Sequence, residues 1–175
     1  MNKYKKISLI ITDVDGVLTD GSIYKGTDNM EFKKFSVFDG VGVAYARAAD
    51  LKIAVISARY SPATEYRTKE LGITDVYNGG LNKLHAYNDL KKKYTLSDDQ
   101  IAYLGDDMVD IPVMEIVGLP IAVANATPEI INLAKHITTV KGGDGAFREA
   151  VEWIIHMQGR TEEMYKIMRE KVLNS

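Results

Sequence analysis

The sequence contains no cysteine and only four prolines in 175 residues. Without cysteine, neither a disulfide framework nor a thiolate metal site can form. No apolar run approaches the roughly 20 residues that span a bilayer, and the run at residues 7–11 is too short for a signal peptide. Positive charge is not in excess, with 22 Lys and Arg residues against 24 Asp and Glu residues. We therefore expect a cytoplasmic protein that binds neither nucleic acid nor membranes.

Length and composition indicate one globular unit. The chain is 46% hydrophobic and 26% charged, which is typical of a soluble domain. This length can bury one proper core and is too short for two ordinary domains. We predict a single domain over residues 1–175.

Short apolar runs alternate with longer amphipathic segments along the chain. Most of the runs are apolar on both faces, as parallel strands covered by helices must be. This order predicts an α/β fold with a Rossmann-like, mostly parallel sheet and helices on both faces. Asp39 is a candidate N-cap of the first helix. Strands are predicted at 7–12, 52–57, 75–78, 101–105, 120–124 and 136–140, and helices at 40–50, 63–71, 80–94, 129–134, 145–157 and 161–172.

Residues 20–38 interrupt this alternation. Two short extended runs, "SIYK" and "MEFKKFSV", flank a turn at 26–29 and predict a β-hairpin. Because the hairpin directly follows the first strand, it should project as a flap above the edge of the sheet where that strand ends. The remaining connections are too short for a separate cap domain over that edge.

Charged and hydroxyl side chains follow the predicted strands. Ligands of open α/β sheets bind beyond the carboxyl ends of the strands, so these groups should meet at one mouth. Two carboxylates separated by a single residue, as in Asp13 and Asp15, resist burial unless a cation or a transferable proton compensates them. Carboxylate oxygens suit Mg²⁺ bound beside a phosphate. The groups are Asp13 and Asp15 after the first strand, Ser57, Ala58 and Arg59 after the second, Lys83 in the third helix, and Asp106, Asp107 and Asp110 after the fourth strand.

The same segments resemble a known superfamily. "DVDGVLTDG", "SAR", Lys83 and "GDDMVD" follow the order of the four motifs of the haloacid dehalogenase superfamily of phosphohydrolases. Longer segments, such as "FKKFSVFDGVG" and "GGDGAFREAVEWIIHMQG", resemble the small capless phosphatases of 3-deoxy-D-manno-octulosonate (KDO) 8-phosphate. The resemblance extends over roughly residues 7–160. It implies a Mg²⁺-dependent phosphatase that acts in lipopolysaccharide KDO synthesis.

The resemblance also implies which residues catalyse the reaction. Asp13 would attack phosphorus and form an aspartyl-phosphate. Asp15 would protonate the leaving sugar oxygen and then deprotonate the water that hydrolyses the intermediate. The Mg²⁺ ligands would be the Asp13 carboxylate, the Asp15 backbone carbonyl and Asp106.

Other residues would bind the phosphate in a protein of this family. Its oxygens would contact the Ser57 hydroxyl, the backbone amides of Gly16 and Ala58, and Lys83. Asp107 or Asp110 would support Lys83 or the metal site, and the sequence leaves this choice open.

Arg59 favours KDO 8-phosphate among the possible substrates. Its guanidinium can pair bidentately with a sugar-acid carboxylate, whereas relatives acting on 2-keto-3-deoxynonulosonate (KDN) 9-phosphate have an acidic residue near this place. Arg148, after the glycine-rich segment 141–145, is a second candidate substrate contact. The chain has "SAR" where close relatives have "TGR", which keeps the hydroxyl and reduces backbone freedom. The family also implies a homotetramer in which neighbouring subunits cover the site, and to which the tail after Gly159 could contribute.

Three other interpretations stay open. The same chemistry could act on KDN 9-phosphate or on another sugar-acid phosphate. A receiver-type phospho-acceptor would carry its aspartate after the third strand, where this chain has "YNGG". A non-catalytic phosphatase-like assembly domain would not need the four motifs that are present here.

Overall fold

A parallel six-stranded sheet forms the centre of the fold. The computed structural model describes residues 3–28 and 30–174. The strands of the sheet are β1 (Leu9–Thr12), β4 (Lys52–Ser57), β5 (Asp75–Asn78), β6 (Ile101–Gly105), β7 (Leu119–Ala122) and β8 (His136–Ile137). Their order is β5-β4-β1-β6-β7-β8, and every pair is parallel. All six predicted strands are present, although the last is two residues long rather than five.

The central strand β1 sets the position of the site. All four of its residues are buried, because neighbouring strands flank it and helices cover it. Thr12 lies opposite Val55 of β4 and Leu104 of β6. The segments that follow these three strands therefore leave the sheet at one edge, as the sequence predicted.

Helices pack on both sides of the sheet. They are α1 (Val37–Ala48), α2 (Pro62–Glu70), α3 (Lys83–Tyr94), α4 (Ile111–Met114), α5 (Pro128–Leu133), α6 (Ala146–Met157) and α7 (Thr161–Leu173). Helix α1 contacts α6 and α7, whereas α4 contacts α3 and α5. The short α4 was not predicted. Within the described residues, no helix combines the length and the apolar character needed to cross a membrane.

The predicted hairpin is present and shorter than expected. Strands β2 (Tyr24–Lys25) and β3 (Glu31–Phe32) pair antiparallel, and a bridge between Thr19 and Phe35 closes the base. Residues 37 and 38 belong to α1 instead. The predicted turn at 26–29 includes Asn29, which lies outside the described residues. We call residues 20–36 the flap.

The predicted cap of the first helix was wrong. Ser36 is the N-cap of α1, and its Oγ accepts a hydrogen bond from the Phe38 N–H at 3.2 Å. Asp39 lies in the first turn and is buried. Its Oδ1 accepts a hydrogen bond from the Arg148 N–H at 3.1 Å, while its Oδ2 is buried without a hydrogen-bond partner. The carboxylate thus connects α1 to α6 rather than capping its own helix.

Replacing Asp39 with asparagine should change how stability depends on pH. Burial raises the pKa of Asp39 from 3.8 to about 6, against the lowering effect of two backbone N–H groups. The folded state then binds this proton more tightly than the unfolded chain, so stability falls as the pH rises from about 4 to about 6 and the full cost is present above that. As the pH rises from about 4 to about 7, the free energy of unfolding of Asp39→Asn should rise by about 3 kcal/mol relative to that of the original protein. Urea unfolding at each pH measures the difference.

A matched control is the exposed aspartate that follows α1. Asp50→Asn removes one negative charge at an exposed position and is measured over the same pH range for comparison. A stability difference for Asp39→Asn that stays constant with pH would contradict the proposed effect of burial.

Candidate active site

Carboxylates from two neighbouring strands meet at the edge of the sheet. Asp13 directly follows β1 and is 5% exposed, and Asp106 directly follows β6. Asp13, Asp106 and Asp110 each present an oxygen, and these oxygens lie within 4.8 Å of one another. The tight parallel pairing of β1 with β6 produces this proximity. We call this group of side chains, together with Asp15 and Lys83, the mouth.

Lys83 supplies a fixed positive charge inside the mouth. Its side chain is fully buried, and its Nζ lies 2.9 Å from Asp13 Oδ1 and 2.7 Å from Asp110 Oδ1. Burial opposes a charge on this amine, but the two carboxylates outweigh burial and raise the pKa of Lys83. Helix α3 begins at this residue, so the helix fixes where the ammonium lies.

The structure distinguishes between the two candidate supporting aspartates. Asp110 Oδ1 accepts hydrogen bonds from Lys83 Nζ and from the Tyr103 hydroxyl, both within 2.7 Å. Its Oδ2 accepts from the backbone N–H groups of Asp106 at 2.9 Å and Asp107 at 3.3 Å. Because both oxygens are occupied, Asp110 is suited to hold Lys83 rather than a metal. Asp107 instead caps the turn that follows β6. Sequence reasoning missed Tyr103, which looks like an ordinary strand residue.

The remaining carboxylates fit a divalent cation. Asp106 Oδ1 is buried without a hydrogen-bond partner. Burial, and then repulsion by Asp13 and Asp110, raises the pKa of Asp106 to about 8. Burial also raises the pKa of Asp13 to about 7, although Lys83 acts in the opposite direction. A hard cation with oxygen ligands, such as Mg²⁺, would relieve this repulsion. Asp13 and Asp106 would hold it, and the Asp15 carbonyl stays a predicted third ligand.

Gly16 packs directly against Asp106. Its φ is +89°, and an added Cβ would lie 1.9 Å from Asp106 Oδ2. Its N–H donates to Thr19 Oγ1 at 3.3 Å, so this amide already has a partner and its phosphate contact stays a prediction. Asn125, which the sequence did not single out, donates to the Gly16 carbonyl at 3.2 Å and accepts from the Gly142 N–H at 2.7 Å. The loop after β1 is thus held in place from the side of β7.

Adding one methyl group at Gly16 should displace Asp106. For Gly16→Ala we expect stability to fall by about 2 kcal/mol, from the positive φ and the close contact together. Mg²⁺ affinity should fall at least about tenfold, because a metal ligand moves. Urea unfolding and Mg²⁺ titration calorimetry measure the two effects.

Gly159→Ala is the matched control for backbone strain. Gly159 has a φ of +73°, and nothing lies within 4 Å of its added Cβ. This variant should lose stability through strain alone and bind Mg²⁺ normally. Equal loss of Mg²⁺ affinity in both variants would contradict the role of the contact with Asp106.

Ser57 and Ala58 lie at the end of β4, next to the mouth in the sheet. Ser57 is 2% exposed, and its hydroxyl donates to the Arg59 carbonyl at 3.0 Å. The carbonyls of Ser57 and Ala58 accept from the N–H groups of Gly79 and Gly80, each at 2.9 Å. These bonds fix the loop, and the phosphate contacts of Ser57 and Ala58 stay predictions.

Arg59 is already engaged by the flap. Its two terminal nitrogens donate to Glu31 at 2.9 and 2.8 Å, and its Nε lies 3.8 Å from Asp15 Oδ2. Glu31 also accepts from Ser61 Oγ at 2.6 Å and pairs with Lys25 at 2.8 Å. The Arg59 guanidinium, which the sequence analysis assigned to a substrate carboxylate, therefore binds the Glu31 carboxylate in this structure. The reason is that β3 carries Glu31 over the loop after β4.

Lys33 is a second flap residue, after Glu31, that contacts the candidate site and that sequence reasoning missed. Its side chain is fully buried, its Nζ lies 2.7 Å from Asp15 Oδ1, and it donates to Thr64 Oγ1 at 3.2 Å. The sequence feature that could have identified Lys33 is the alternation of side chains along an extended segment. This alternation places Glu31 and Lys33 on one face of the flap and Phe32 on the other. Phe32 is 59% exposed, in agreement with that alternation.

The side chain of Arg148 contacts residues of two helices. Its Nε lies 3.0 Å from Glu152, and its guanidinium lies 5.3 Å from the Tyr45 ring and 5.9 Å from the Phe38 ring. These partners belong to α1 and α6. Within the described residues, Arg148 has no hydrogen bond or ion pair with the carboxylates of the mouth, and its contact with substrate stays a prediction.

The sequence matches known proteins over most of its length. Residues 28–149 match the family model of haloacid dehalogenase-like hydrolases. The chain is 45% identical over 161 residues to the 3-deoxy-D-manno-octulosonate 8-phosphate phosphatase KdsC of Escherichia coli K12. That alignment covers 92% of this chain and 86% of the relative.

The fold also matches solved structures. A hydrolase of Legionella pneumophila, described as a putative member of haloacid dehalogenase subfamily III A, superposes with a TM-score of 0.92. It is 39% identical, and the match covers 96% of this chain and 92% of that chain. The 3-deoxy-D-manno-octulosonate 8-phosphate phosphatase of Moraxella catarrhalis superposes with a TM-score of 0.90, 35% identity and 95% coverage of both chains. That crystal structure contains a magnesium ion, a phosphate ion and a KDO molecule.

Proposed function

This chain belongs to the haloacid dehalogenase-like hydrolases, and we propose that it is a Mg²⁺-dependent phosphatase of KDO 8-phosphate. One observation carries the chemistry: Asp13 lies 2.9 Å from the buried ammonium of Lys83 and presents an oxygen within 4.8 Å of an Asp106 oxygen. The 45% identity to a named KDO 8-phosphate phosphatase supports the substrate. The product would then enter lipopolysaccharide synthesis.

The reaction proceeds in two steps on the aspartates that follow β1. In the first step an Asp13 oxygen attacks phosphorus, the bond from phosphorus to the sugar oxygen breaks, and Asp15 gives its proton to that oxygen. In the second step water attacks the aspartyl-phosphate, Asp15 takes a proton from the water, and inorganic phosphate leaves. The Asp13 carboxylate and the protonated Asp15 are restored.

Positive charge makes the first step possible, because nucleophile and phosphate are both anionic. Mg²⁺ bound at Asp13 and Asp106 supplies part of this charge when it is present. Lys83 supplies a preorganised ammonium from the protein side, and Asp110 holds it there. The Ser57 hydroxyl and the amides of Gly16 and Ala58 would orient the phosphate oxygens.

Substrate selection falls to the residues beneath the flap. Arg59 is the proposed contact for the sugar-acid carboxylate, and its Nε is buried without a hydrogen-bond partner in the described structure. A bidentate contact between Arg59 and the substrate would require Glu31 to release at least one of its two hydrogen bonds with the guanidinium. The same site could take KDN 9-phosphate or another sugar-acid phosphate, which is the alternative that the first assay must address.

A second copy of the chain would complete the site. The flap and the start of α1 expose six large apolar side chains, each at least 42% accessible, which is unusual for a monomer. We therefore propose a homo-oligomer, a tetramer by family resemblance, in which a neighbouring subunit covers this surface. Light scattering after size exclusion measures the mass. The side chains are Ile23, Tyr24, Met30, Phe32, Val37 and Phe38.

Phosphate release tests the proposed function. The substrates are KDO 8-phosphate, KDN 9-phosphate and common sugar phosphates, each with Mg²⁺ and with a chelator, and Asp13→Asn serves as the blank. We expect kcat/KM for KDO 8-phosphate to exceed the others by at least about tenfold, and chelation to abolish turnover. A preference for another ester would retain the chemistry and reject the substrate. No activity on any ester would favour the assembly-domain interpretation.

A further inference from the structure

Three lysines of the flap differ sharply in their surroundings. The side chains of Lys25 and Lys34 are 62% and 54% exposed and pair with Glu31 and Asp144. The Lys33 side chain is 0% exposed. A buried ammonium is strongly unfavourable unless a carboxylate and further hydrogen bonds compensate it. A buried lysine therefore has a defined geometry, set by the groups that pair with it.

The two oxygens of the Asp15 carboxylate have different partners. Oδ1 lies 2.7 Å from Lys33 Nζ. Oδ2 has Arg59 Nε at 3.8 Å, which is beyond hydrogen-bonding distance. Oδ1 is buried and held by an ion pair rather than by a hydrogen bond, whereas Oδ2 is the oxygen outside that ion pair. Because the carboxylate group is planar, an ion pair that holds Oδ1 also restricts the direction of Oδ2.

We propose that Lys33 is a positioning residue for the acid–base step: it holds Asp15 Oδ1 and so directs Oδ2 toward the leaving oxygen of the ester. This inference rests on the proposed phosphatase function. The anchor is itself held, because Lys33 Nζ also donates to Thr64 Oγ1 in the first turn of α2, at 3.2 Å. The flap therefore acts on the leaving-group side of the reaction, while Lys83 acts on the nucleophile side.

A positioning role of this kind predicts an effect that depends on the leaving group. Protonation matters when a poor leaving group such as a sugar alkoxide departs, and matters little when a nitrophenolate departs. A merely structural role of Lys33 would slow all esters equally. The constant kcat/KM is suitable because it includes only the steps up to departure of the leaving group.

The test compares Lys33→Met with the original protein on para-nitrophenyl phosphate, phenyl phosphate and KDO 8-phosphate. We expect kcat/KM to fall at least about tenfold for KDO 8-phosphate and less than about threefold for para-nitrophenyl phosphate. The slope of log kcat/KM against the pKa of the leaving group should become steeper. Lys33→Arg, which retains the cation, should restore the original slope. Lys34→Met is the matched surface control and should change neither value.

Each outcome decides the inference. Equal losses on all three esters, or no loss, would overturn it while leaving the phosphatase function intact. If Lys33→Met fails to fold by circular dichroism, Lys33→Gln retains a polar group beside Thr64 and must show the same steeper slope. Absence of activity in the original protein on every ester would overturn the proposed function and this inference together.

Discussion

Asp13→Asn should lower kcat on KDO 8-phosphate by at least about 10⁴-fold, because the amide is neutral and cannot form the phosphorylated intermediate. The change also removes a carboxylate oxygen from the three that lie within 4.8 Å of one another, so Mg²⁺ should bind more weakly. The fold should survive, because asparagine has nearly the same volume and Lys83 keeps its ion pair with Asp110 at 2.7 Å.

The measurement combines steady-state phosphate release with mass spectrometry of acid-quenched protein. The original protein should carry phosphate on the peptide that contains Asp13 during turnover, and the variant should not. Asp144→Asn is a suitable control, because Asp144 is an exposed aspartate whose ion pair is with Lys34. If Asp13→Asn retained more than about a tenth of the activity, Asp13 would not be the nucleophile.

Lys83→Met should cost both stability and activity. Methionine fills the space but leaves the carboxylates of Asp13 and Asp110, at 2.9 and 2.7 Å from the former ammonium, without their cation. Breaking such a buried pair from one side costs about 3–5 kcal/mol. The loss of a preorganised charge in the transition state should lower kcat by about 10²–10³-fold. Urea unfolding without Mg²⁺ and phosphate release with Mg²⁺ measure the two effects.

A double variant separates the two roles of Lys83. In Lys83→Met with Asp110→Asn, one uncompensated carboxylate is removed, so part of the lost stability should return while activity stays low. Lys92→Met, at an exposed position on the same helix, should change neither quantity. Unchanged stability of Lys83→Met would mean that the buried ion pairs do not hold the mouth together.

Local sequence patterns were sufficient to predict the strands and most of the helices. The run before Asp13 is short, rich in isoleucine and apolar on both faces, which favours a covered strand; β1 is indeed buried throughout. The helix predicted at 63–71 lies one residue from the observed α2 at each end, and the Ser61 side chain caps it by accepting from the Thr64 N–H. The first helix was misjudged because Ser36 and Asp39 are both good cap residues. Only the packing of α1 on α6 gave Asp39 another partner.

The sequence by itself determined the order of the strands and of the longer helices, and the aspartates that follow the strands, because periodicity and motif spacing are properties of neighbouring residues. Tertiary structure alone decided which charges pair. It joined Lys83 to Asp110 rather than to Asp107, and it brought the flap residues Glu31 and Lys33 to Arg59 and Asp15. Such pairs depend on where a hairpin folds back over a loop, and that geometry is set by contacts between residues far apart in the chain.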